Sequence, residues 1–204
     1  MSRPTVDVSE LPEHAFGQRE PMWWAVMLLI AIEGSMLVLL AISYYYVRAR
    51  IDPFPPTHVG HTAAWLGSAE LATWIASVVP MVLAARYARV YDLARTRRWL
   101  IISTLFGVVA MTLRLLEYHY LPFRWDDHAY GSVVWSLLGV QWLHGATGVL
   151  ENVVYIVLLF VGPVQKKHFT DVEVSAPLWY FVVGGAALAW AVVFADILLA
   201  GGRA

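Results

Sequence analysis

Five apolar runs, each long enough to cross a bilayer, leave this 204-residue chain one broad architecture. A spanning helix needs about 20 mostly apolar residues, and a helix satisfies every backbone N–H and C=O within its own segment, as lipid demands. The runs predict helices over about Met22–Val47, Ala63–Arg86, Trp99–Tyr120, Gly131–Val161 and Ala176–Ala200. Only 14% of the residues are charged, where a soluble domain carries roughly a quarter. The expected fold class is therefore all-α: a polytopic integral membrane protein with one five-helix domain over residues 22–200. A cytoplasmic tail over 1–21 and a short tail over 201–204 flank it. The few charges sit in short blocks with a net charge of −1, which argues against a nucleic-acid partner. The chain has no cysteine, so disulfides, Cys-ligated zinc, iron–sulfur clusters and thiol catalysis are excluded.

Orientation follows from the basic residues outside the runs. Arg3 and Arg19, then Arg86, Arg89, Arg95, Arg97 and Arg98, then Lys166 and Lys167 fall on one side. Arg48, Arg50, Arg124 and Arg203 fall on the other. The heavier side is expected to be cytoplasmic, placing the N-terminus inside and the C-terminus outside, in a prokaryotic cytoplasmic membrane. The first 20 residues lack the basic start and short apolar core of a signal peptide, in keeping with a cytoplasmic tail. Connections are expected at the proline-rich segment holding Pro53, Pro55 and Pro56, at the basic segment Arg86–Arg98, at Pro122–Tyr130 and at Pro163–Val174. Pro80 is the one helix-breaking proline expected inside a span, as a kink. Trp65, Trp99, Trp125 and Trp179 stand where span ends are expected, as interfacial belt residues.

The fourth run holds the stretch GVQWLHGATGVLEN, Gly139–Asn152, with His144, Glu151 and Asn152 among the small residues Gly139, Gly145, Ala146 and Gly148. Small residues let helices approach, and polar ones bond across them. This helix is expected to be the seam around which the others pack. His144 and Glu151 are seven apart, two turns along one face. For His144 a haem or metal ligand is weighed against a helix–helix hydrogen bond. The second is preferred, because His14, His58, His61, His119, His128 and His168 lie in the tail, loops or helix ends, leaving no partner of matching depth.

Glu33 lies eleven residues into the first run, roughly 16 Å deep at the helical rise. An ionised carboxylate there must be paired or protonated. A proton-handling or headgroup-binding role and a neutral interhelical hydrogen bond are both open, and a Glu33–His144 bond is within reach. Arg114 and Glu117, three apart in the third run, form an interfacial ion pair or leave Arg114 to an anionic lipid headgroup. Glu70 and Asp196 are expected at an interface or paired within the bundle. Glu151 is a second intramembrane acid. No phosphate-cradling loop, nucleophile elbow or clustered metal-ligand motif is present.

Taken in order, several segments resemble cytochrome c oxidase subunit III, of the haem–copper oxidase superfamily. They are AIEGSMLVLLAISYYYVRAR with Glu33, the loop DPFPPTH, GVVAMTLRLLEYHY ending in Glu117–Tyr118, AYGSVVWSLLGVQWLHG, and APLWYFVVGGAALAW with Trp179. His144 takes the place of the second histidine in the family's Gly–aromatic–His–Gly–Leu–His segment, and Gln141 the place of the first. Arg114 stands where glutamine is usual, and Tyr180 and Val183 replace a histidine and an aspartate. The resemblance implies a short, divergent, five-helix form and an accessory role with no catalytic site, haem or copper on this chain. Haem and copper would belong to partner subunits I and II, and phospholipid would be bound. The resemblance further implies a contribution to stability, oxygen access or proton uptake during aerobic electron transport. Two alternatives stand beside it: a subunit III-like partner of a nitric oxide reductase or other respiratory complex, and a small transporter using Glu33, Glu151 and Arg114.

Overall fold

The computed structural model describes residues 15–52, 54 and 61–195. His14, His58, the expected loop prolines Pro53, Pro55 and Pro56, Asp196 and the tail over 201–204 lie outside the described residues. Five helices follow in order: α1 (Pro21–Arg48), α2 (His61–Arg89), α3 (Leu93–Tyr120), α4 (Ala129–Phe160) and α5 (Lys166–Trp190), the last running on into a π-helical turn, Ala191–Ala195. A single 3₁₀ turn, Gly17–Arg19, leads into α1. All five helices are long and apolar enough to cross a membrane. Their 25 to 32 residues exceed the roughly 20 that a hydrocarbon core requires.

The excess length lies at one end of the bundle and corrects two expected loops. The basic segment is not a long connection. Arg86 and Arg89 belong to α2, and Arg95, Arg97 and Arg98 belong to α3. The turn between them is tight, with Tyr91 in the left-handed region at φ 58°. Asp92 caps α3 by accepting from the Arg95 N–H at 3.0 Å, which satisfies one of the otherwise orphaned donors of a helix start. The Pro163–Val174 connection likewise shrinks, because α5 already begins at Lys166. There Gln165 and His168 bond reciprocally across the first turn. Pro177 therefore falls inside α5, so Pro80 is not the only interior proline. Hydropathy marks where lipid is; caps mark where a helix ends.

The centre of the bundle is α5 rather than α4. Thirteen of the 25 residues of α5 are buried against ten of the 32 of α4, so α5 has the larger share of protein around it. α2 and α3 form the most extensive pair, α5 lies on α2 and α4, and α1 packs chiefly on α4 and α5. One apolar cluster gathers Leu37, Tyr44, Leu137, Val193 and Phe194; another gathers Trp74, Met81, Leu100, Trp179 and Val182. α1 keeps a broad outward face, with Leu28, Ile32, Leu39 and Ile42 exposed. Such a face is stable against lipid or another apolar surface.

Candidate functional site

Two groupings of titratable side chains link helices within the spans. The first joins α1 to α4. Glu33 Oε2 lies 3.0 Å from His144 Nε2, and the Phe181 ring of α5 packs against the imidazole at 5.2 Å between centroids. The expected hydrogen bond is present. Glu33 keeps 31% of its side chain exposed and His144 14%, so the pair opens toward the surroundings of the bundle. His144 Nδ1 is buried and has no partner among the described residues. One turn away on α4, Gln141 is buried with neither amide atom bonded among the described residues. Its stem passes beside Gly185 of α5, where a methyl group would sit 3.1 Å from Leu37 and 3.9 Å from Gln141.

The second place lies between α2 and α3 and is closed. Arg114 is 1% exposed, Glu70 1% and Glu117 wholly buried. Arg114 Nη1 donates to both Glu117 oxygens at 2.8 and 2.6 Å, and Nη2 donates to Glu70 Oε2 at 2.7 Å. Trp74 Nε1 donates to the other Glu70 oxygen at 2.8 Å. The expected Arg114–Glu117 pair therefore exists, but as part of a buried triad rather than an interfacial pair. The guanidinium faces carboxylates, not an open surface. Glu70, left between interface and bundle by the sequence, is the third member. Arg114 is the one Lys or Arg expected deep in a span, so any intramembrane acid without a same-helix partner was a candidate for it. The sequence offered that signal without the distance.

Glu151 pairs within its own helix, accepting from the Tyr155 hydroxyl at 2.8 Å, and does not meet His144. Asn152 is buried with its Nδ2 unbonded among the described residues. The small residues act as packing predicts. A methyl group at Gly145 would lie 2.9 Å from the Trp74 ring, one at Gly148 3.5 Å from Trp179, and one at Gly139 3.4 Å from the Tyr118 hydroxyl.

Trp65 and Trp125 are exposed as belt residues should be, but Trp179 is not one: it is 1% exposed. It donates from Nε1 to Ser77 Oγ at 2.9 Å and meets Trp74 edge-on. An indole can be buried when its N–H finds an acceptor, and Ser77 supplies it from α2. That contact, unforeseen in the sequence, ties α5 to the helix that carries Glu70. At the basic end, Glu173 of α5 accepts from Arg89 at 2.6 Å and from the Gly17 N–H at 3.2 Å. Arg97 donates to the Leu159 carbonyl near the end of α4. The described parts of the three basic stretches assigned to one side thus meet at one end of the fold.

No protein-family model matches the chain. Curated proteins do. One from Triticum aestivum, named cytochrome c oxidase subunit 3, is 28% identical over 192 residues, covering 85% of this chain and 67% of that protein. One of the same name from Petromyzon marinus is 27% identical over 134 residues, covering 65% of this chain and 48% of that protein. A third, from Zea mays, is 29% identical over 83 residues, covering 41% of this chain and 31% of that protein. The chain spans about two thirds of the wheat protein's length and half or less of the other two. The chain, whose described residues hold five helices long and apolar enough to cross a membrane, is thus similar over most of its length to proteins named cytochrome c oxidase subunit 3.

Proposed function

We propose that the chain is an accessory, non-catalytic membrane subunit of a respiratory terminal oxidase. The observation that carries this reading is the similarity to proteins named cytochrome c oxidase subunit 3, which takes in 85% of the chain for the wheat relative. In this reading the chain packs beside the haem–copper subunit I, with subunit II in the same complex, and haem and copper reside on those partners. The outward apolar face of α1 supports a place against lipid or a second membrane protein. The partly exposed Glu33–His144 pair, at a face of the bundle, supports contact with phospholipid or participation in proton uptake. Support of the complex's stability and of oxygen access belongs to the same reading. The proposed setting is a prokaryotic cytoplasmic membrane with the basic end inside; the grouping of Arg89, Arg97 and Lys166 at one end supports that orientation.

The test is to solubilise membranes in a mild detergent, capture the chain through a tag and identify the large membrane protein that accompanies it. A haem–copper oxidase subunit, with the haem absorbance following that partner, is the expected result. A nitric oxide reductase as the accompanying protein would replace the oxidase part of the reading. Haem absorbance on the isolated chain would overturn the accessory role.

A further inference from the structure

The triad between α2 and α3 carries a charge that does not balance. Two carboxylates and one guanidinium sum to −1, and all three side chains are shut away from the surface. An uncompensated charge in a protein interior, inside a membrane, is among the costliest arrangements a fold can hold.

Among the described residues no other group in reach supplies the missing positive charge. On α3 the remaining titratable neighbour is Tyr118, beside Glu117, and the α4 backbone facing its hydroxyl is Gly139. The ionisable groups of α4 are turned elsewhere: His144 meets Glu33, and Glu151 meets Tyr155. From α5, Glu173 meets Arg89 at the basic end. From α2, Trp74 brings only a neutral donor. The cluster is also incompletely bonded. Arg114 Nε is buried with no acceptor among the described residues.

We propose that Glu70, Arg114 and Glu117 form a proton-binding site, holding one proton that the two carboxyl groups share across the guanidinium. The proton brings the sum of charges to zero. Because both acids bond to the same guanidinium, its loss or gain belongs to the pair and not to one residue. The site requires only the buried cluster and does not depend on which respiratory complex the chain joins.

Infrared spectroscopy of the purified full-length chain at neutral pH tests this through the carbonyl stretch of protonated carboxyl groups. Three variants are compared with the unaltered protein: Glu70→Gln, Glu117→Gln and Arg114→Gln. Either glutamate variant should lose one carboxyl's worth of that absorption, because the remaining acid then ionises against Arg114. Removing either partner thus deletes the same band, which a plain ion pair would not produce. Arg114→Gln should gain one carboxyl's worth, since neither acid then has a cation. If Arg114→Gln does not fold, the two glutamate variants decide, being near-isosteric and still able to bond. Loss of the band in only one of them, or in neither, would overturn the proposal.

Discussion

Glu33 and His144, 111 positions apart, are joined by a 3.0 Å hydrogen bond that fastens α1 to α4. α1 packs on α4 and α5 while much of its surface faces outward, and this contact is a polar link between it and the bundle. Interhelical bonds of this kind are worth about 0.6 kcal/mol on average and up to about 1.7. His144→Ala should therefore lower stability by about 1 kcal/mol, and Glu33→Gln by less, since an amide still bonds. A double-mutant cycle on thermal unfolding in detergent checks both. If Glu33 also handles protons or lipid, Glu33→Gln should alter proton uptake or bound phospholipid in the assembled complex. Unchanged turnover, lifetime and lipid content would leave it a structural bond.

Gly107 and Gly184 should respond oppositely to the same change. A methyl group at Gly107 meets Trp179 and Val149 at 2.7 Å, whereas at Gly184 nothing lies within 4 Å. Overpacking typically costs about 1–3 kcal/mol, while an exposed helical glycine replaced by alanine gains up to about 1. Gly107→Ala should lower the melting temperature, and Gly184→Ala should leave it unchanged or raise it.

Arg114→Ala strands two buried acids. Removing one partner of a buried ion pair commonly costs about 3–5 kcal/mol. The variant should be the most damaging of those named here, seen as lost yield or early unfolding. Adding Glu117→Gln should recover part of the loss, because one fewer buried acid is left without its guanidinium partner.

Asp92→Ala removes the cap of α3 at the 3.0 Å contact with Arg95 N–H. Loss of such a cap costs about 1 kcal/mol. Amide exchange should quicken over Leu93–Arg97 and stay unchanged around Leu100–Ala110, deeper in the same helix.

The five spans were legible in the sequence because lipid imposes one rule on every residue of a spanning segment. Apolar run length alone then fixes number and position, and α1, which starts at Pro21 and ends at Arg48, was readable to within a residue. The ends at the basic side were not, because Leu93–Arg98 and Lys166–Ser175 are helical for reasons of capping rather than hydropathy. Similarly, a tryptophan near a span end reads as an interfacial residue until a serine 102 positions away turns out to accept from it, as Ser77 does for Trp179.

By itself the sequence determined the class, the helix count, the family likeness and the short-range pairs available on one helix, such as Arg114 with Glu117. Those depend on composition and on the 3.6-residue period, both local properties. The tertiary structure alone decided which helix is central and which acid completes the buried triad. It also decided that Gly139–Asn152 serves as one wall of the bundle, with His144 turned to Glu33. These are relations across helices. They follow from crossing geometry and rotation about each helix axis, which shape complementarity among Trp74, Trp179 and the facing glycines sets and no single segment encodes.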